Sequence, residues 1–152
     1  MVYIFLLGFV LPWILGVYLY KKVPAILLTA GPATALIAVT INQLGIHLGL
    51  WKVNPMPRVI LMDSIFLDLG IFPVVGVWFS YFIHAKKYKR IWVYLGFILG
   101  MTGLEYGSLL IGTVSYGEGW NIFFTFLIYV GGFVIIDVLL SKLEKLKAMP
   151  SQ

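Results

Sequence analysis

The fold this sequence predicts is a polytopic, all-α membrane helix bundle. Three observations predict it. Of 152 residues, 61% are hydrophobic and only 11% are charged, where a soluble domain would carry about 25% charged residues. Mean hydropathy is +1.00, more apolar sequence than a chain this short can bury from water. Finally, the apolar residues fall into five stretches, each near the roughly 20 residues a helix needs to cross the hydrocarbon core.

The five expected spans are about 2–20, 25–50, 59–83, 91–115 and 120–140, with a short basic tail over 142–152. The first stretch has no basic residues before it and no small-residue cleavage site after it, so it is expected to be a retained span. Pro and Gly mark the connections: Lys21 to Pro24, Lys52 to Arg58, His84 to Arg90 and Tyr116 to Gly119. Such short links make sequential helices antiparallel neighbours. The tail is expected to extend the fifth helix among the headgroups.

Basic residues set the expected orientation. Lys21, Lys22, Lys86, Lys87, Lys89, Arg90, Lys142, Lys145 and Lys147 fall at one set of ends, and Lys52 and Arg58 at the other. Cytoplasmic loops are the Lys/Arg-rich ones. That places the N-terminus outside and the C-terminus in the cytoplasm. Trp51, Tyr116 and Trp120 would mark the outer interface, and Tyr18, Tyr20, Tyr81, Trp92 and Tyr94 the inner one. The basic charge therefore reports topology and lipid contact, and no nucleic-acid partner is expected.

Four of the six acids lie inside apolar stretches: Asp63, Asp68, Glu105 and Asp137. A carboxylate at the bilayer centre costs about 2.5–3.5 kcal/mol on insertion scales. At 1.5 Å rise per residue, Asp68 and Glu105 fall about 14–15 Å below the outer boundary. Asn42, Gln43 and His47 lie roughly 5–12 Å below it. Thr40, Gln43 and His47 share one face of the second span, with Asn42 pointing elsewhere. Ser64 and Asp68 are i, i+4 neighbours on the third. Asn121 opens the fifth. Asp68 and Glu105 are the expected proton or ligand carriers, supported by Gln43, His47, Asn42, Ser64 and Asn121. Asp63 is expected to pair with Arg58. Asp137 is expected to anchor at the inner edge, snorkelling or meeting Lys142. His84, in a basic loop, suits a headgroup contact.

Gly96, Gly100, Gly103 and Gly107 form one stripe on the fourth span, with two G-x-x-x-G steps that permit close helix packing. That span is expected to be central, its glycine face docking protein: a neighbouring helix, a second copy or a partner membrane protein. Pro12, Pro32 and Pro73 are expected to kink the first three spans.

No cysteine is present. No zinc, nucleophile-elbow, Walker or aspartate-rich diphosphate motif occurs, and neither metal nor cofactor is expected. Three functional classes stay open. One is a polar pocket that binds, senses or moves a small molecule or ion. The second is an acid–base enzyme on a lipid or isoprenoid. The third is a non-catalytic subunit of a membrane complex.

Several short stretches carry a resemblance. They are Leu11-Pro12-Trp13-Ile14-Leu15-Gly16 with Tyr20-Lys21-Lys22, Ile41-Asn42, Asp68-Leu69-Gly70-Ile71-Phe72-Pro73, Leu104-Glu105-Tyr106, and Tyr116-Gly117-Glu118-Gly119-Trp120-Asn121 with Thr125-Phe126. In these the chain resembles a family of small uncharacterised multi-spanning membrane proteins from spore-forming Firmicutes. The resemblance implies a bacterial inner-membrane protein and implies no reaction.

Overall fold

The computed structural model describes residues 5–54 and 64–146. A π-helical turn, Leu6–Val10, runs into α1, Leu11–Lys22. Then come α2, Pro24–His47; β1, Trp51–Val53; α3, Ile65–Asp68; and α4, Ile71–Ser80, which continues as a π-helical turn, Tyr81–Ala85. The chain closes with α5, Arg90–Leu110; β2, Val114–Tyr116; and α6, Ile122–Lys145. Four helical stretches are long and apolar enough to cross a membrane: Pro24–His47, Ile65–Ala85, Arg90–Leu110 and Ile122–Lys145. The first helix, as described, is shorter. Numerous large apolar side chains stay exposed along the helices, Leu36, Leu44, Leu99 and Leu104 among them, as a lipid-covered surface requires. The expected partners Asp63 and Arg58, and Lys147 of the tail, lie outside the described residues.

Proline and glycine set the helix ends. Pro24 opens α2, where its missing N–H costs nothing. Val23 before it leaves the helical region, with φ −141° and ψ 60°, as the residue preceding proline tends to do. At the opposite end of the bundle α2 and α5 stop in the same way. Gly49 (φ 71°) and Gly112 (φ 76°) take the left-handed conformation that ends a helix. Each helix then turns into a three-residue strand, and the two strands pair.

That pairing was not expected. The loops after α2 and α5 form an antiparallel ladder, with Trp51 opposite Tyr116, Lys52 opposite Ser115 and Val53 opposite Val114. Asn54 extends it: its Nδ2 donates to Gly112 O at 3.1 Å and Ser115 Oγ at 2.7 Å. The fourth span consequently ends at Leu110 rather than 115.

The third span is broken. Pro73 has no N–H to give to the Leu69 carbonyl four residues back. Trp13 Nε1 of α1 donates to that carbonyl instead, at 2.8 Å. At the same break, a Cβ on Gly70 would fall on the Gly8 carbonyl oxygen and the Phe9 Cα. The first and third spans thus cross closely at the break.

The broken span, not the glycine-rich one, is central. Half of the Ile65–Ala85 window is buried, against 17% for Arg90–Leu110. α2 packs mainly on α4, and α5 mainly on α6. The apolar core lies toward the basic end, around the fully buried Phe79, whose ring meets Tyr94, Phe97 and Phe133 at 5.0, 5.7 and 4.6 Å. Among the described residues, the glycine stripe of α5 has no neighbour within 4 Å of a side chain's first carbon at any of its four positions. Its spacing permits close packing, but no described helix occupies it.

Gly70→Ala is expected to lower stability by about 1–3 kcal/mol, because the methyl meets backbone that cannot move aside. Gly100→Ala, facing open space, should be neutral or slightly stabilising. Thermal unfolding of both variants in detergent checks the pair.

Candidate functional site

The buried carboxylates are held in three different ways. Asp68 closes α3 and is fully buried. Ser64 Oγ, one turn earlier, donates to Oδ2 at 2.7 Å, and Asn42 Nδ2 of α2 donates to Oδ1. Gln43 Nε2 reaches Ser64 Oγ at 3.5 Å. The i, i+4 relation of Ser64 and Asp68 is as expected. The α2 partner is not. Asn42 and Gln43 straddle the contact, and His47 turns away. His47 is exposed, and its Nδ1 lies 3.0 Å from the Gln43 carbonyl of its own helix.

Glu105 sits five residues before the end of α5 and takes neutral donors. Tyr129 OH of α6 donates to Oε2 at 2.9 Å, and Tyr116 OH of β2 donates to Oε1 at 3.2 Å. Behind Tyr116 runs a polar chain. Tyr116 OH lies 2.8 Å from Thr125 Oγ1, and Trp120 Nε1 donates to that same Oγ1 at 3.1 Å. Trp120 can only donate, and Tyr116 gives its proton to Glu105. The Thr125 hydroxyl therefore donates to Tyr116. Burial pushes the Tyr116 phenol up to about 12, so it remains a donor at neutral pH. Among the described residues no basic side chain forms an ion pair with Glu105.

Glu105 faces a cavity of about 90 Å³, room for several water molecules or a small ligand. Its walls come from α2, α4, α5 and α6, with Trp51 of β1 at the end that carries the strand pair. The lining is mostly apolar and partly aromatic, including Phe72, Met101, Tyr129 and Phe133. Asn42 lines it; Asp68 is not among the described lining. Among the described residues, the two carboxylates expected to share a proton bond to separate partners and not to each other. Asn42 touches both regions, one side against the cavity and its amide on Asp68. Asn121 is also absent from the lining. Its side chain accepts from the Phe123 and Phe124 amides at 2.9 and 3.4 Å, an ordinary N-cap for α6.

The third centre, Asp137, lies at the basic end of α6 and is 4% exposed. Arg90 donates to Oδ2 at 2.8 Å, and Tyr94 OH donates to the same oxygen at 2.9 Å. His84 Nε2 lies 3.1 Å from Oδ1 without aligning as a hydrogen bond, and its Nδ1 lies 3.1 Å from Glu144. Asp137 is an anchor, as expected, but its cation is Arg90 rather than Lys142. His84 is buried between two carboxylates instead of meeting headgroups.

The residues that hold Glu105 carried little signal. Tyr116 and Trp120 read as interfacial aromatics because Tyr and Trp concentrate there. Their hydroxyl and indole groups point inward because the β1–β2 pair and the start of α6 turn them.

Tyr129→Phe is expected to cost about 1–3 kcal/mol, leaving one buried oxygen of Glu105 without its donor. Arg90→Ala should destabilise more than Lys87→Ala. Asp137 is buried, whereas Glu144, the partner of Lys87 at 3.7 Å, is 38% exposed and such pairs contribute about 0–1 kcal/mol. Denaturation midpoints in micelles measure both differences. No protein-family model, curated protein or solved structure matches the chain, so its own geometry carries the functional reading.

Proposed function

We propose that the Glu105 cavity is a binding site for a small molecule or ion that carries positive charge, a proton included, and that the protein senses or moves it. One observation carries this reading: a carboxylate faces an apolar cavity with two phenol donors and, among the described residues, no cation. A charge in such a place needs a partner. The aromatic walls favour an organic cation, which ring faces attract. Asp68 serves indirectly: it fixes Asn42, which presents its other edge to the cavity.

Orientation follows from the basic residues, nine toward one end and two toward the other. In that reading the end with the β1–β2 pair faces outward and the tail lies in the cytoplasm. The resemblance to small Firmicutes membrane proteins supports a bacterial inner membrane.

Thermal shift with a series of small alkylammonium ions tests the site, alongside proton flux in proteoliposomes. At a hundredfold excess over Kd a ligand stabilises its protein by about 2.7 kcal/mol, several degrees in Tm for a chain this size. The wild type should show that shift or a proton flux. Glu105→Gln should abolish it, and Asn42→Leu should weaken it. Equal responses from wild type and Glu105→Gln would sink the proposal.

A further inference from the structure

A second concavity lies beside the first, sharing Val75 and Met101 with it and opening where α5 carries Gly96 and Gly100. It is a groove of about 740 Å³ between α5 and α4, within the range of single-ligand sites. Gly96, Gly100 and Leu104 form its floor, and Val75 and Phe82 form one wall. Tyr88, Lys89 and Trp92 stand at its basic end. We propose that this groove holds one acyl chain of an anionic phospholipid, whose phosphate meets Lys89.

Length supports this. Lys89 to Leu104 is fifteen residues, about 22 Å of helix. Half a bilayer, headgroups included, is about 20–22 Å. The groove therefore matches one lipid of one leaflet, phosphate to chain end. Charge supports it too. Arg90 and Lys87 are engaged by Asp137 and Glu144, whereas Lys89 makes no ion pair among the described residues. A cation at headgroup level beside exposed Tyr88 and Trp92 suits an anionic lipid.

The absence of Cβ atoms explains the shape. Among the described residues, no atom lies within 4 Å of where a side chain would begin at Gly96 or Gly100, and a bulkier residue would fill the channel. A second copy is the competing occupant. Copies in one membrane share an orientation, so a two-fold contact along the stripe sets like residues near like. Lys89 would then face Lys89, a repulsion that an anionic lipid turns into attraction.

The full chain, purified in mild detergent and delipidated, is equilibrated with nanodiscs of equal phosphatidylglycerol and phosphatidylcholine. Retained lipid is then counted by native mass spectrometry. Wild type should hold one lipid, favouring phosphatidylglycerol about fivefold. Lys89→Gln should keep one lipid but lose the preference. Gly100→Leu should lose both lipids, while Gly131→Leu, equally open but on α6 outside the groove, should behave as wild type. Wild type retaining both lipids equally, or Gly100→Leu retaining lipid as Gly131→Leu does, would overturn the proposal. So would a dimer that Gly100→Leu dissociates in lipid-free micelles.

Discussion

The carbonyl of Leu69 is where this bundle is held together. Hydrocarbon offers no water to a backbone group left open, so a proline inside a span must be answered by another element. Pro73 opens Leu69, and the indole of Trp13 answers from the first helix. The glycine contact beside it brings the two backbones close enough for that reach. Everything between follows. The short α3 ends at the break, which buries Asp68 and turns it toward Asn42 of α2. The chain beyond the break then runs through the middle of the molecule as the most buried helix.

Each carboxylate is matched by a different donor chemistry. Among the described residues, Asp68 receives an amide and a hydroxyl, Glu105 two phenols, and Asp137 a guanidinium, a phenol, a serine hydroxyl and an imidazole contact. The cavity lies beside Glu105, where Phe72, Met101 and Phe133 stop short of one another. Its polar lining gathers around Glu105, with Asn42, Thr125 and Tyr129 beside it.

The helices were legible because hydropathy and breakers act locally. Ends at Pro24, Gly49 and Gly112 follow from the conformations proline and glycine permit. Asn42 of α2 does come to both carboxylate regions, bonding Asp68 and lining the Glu105 cavity. Rotation was not legible. Ideal 100° spacing placed Asn42 away from Gln43, yet the broken third span comes close enough for both to reach Ser64 and Asp68. The fourth span was read as central because its glycines permit close packing. Permission is not contact, and the span broken at Pro73 took that place. The strand pair escaped notice because three-residue segments carry no periodicity, and their partners are distant in sequence.

That distance has a consequence for how the molecule is made. Asn54 and Ser115 bond across 61 residues, and between them the chain crosses the bundle twice. The ladder cannot close until α5 has come back to the end that carries β1. Non-local pairings of this kind form late because loop closure must precede them. Tyr116 belongs to that ladder and Tyr129 to the helix after it, so α5 is made before either phenol donor of Glu105. Zipping of six loop residues and docking of α6 then complete the site, which ties completion of the cavity to completion of the fold.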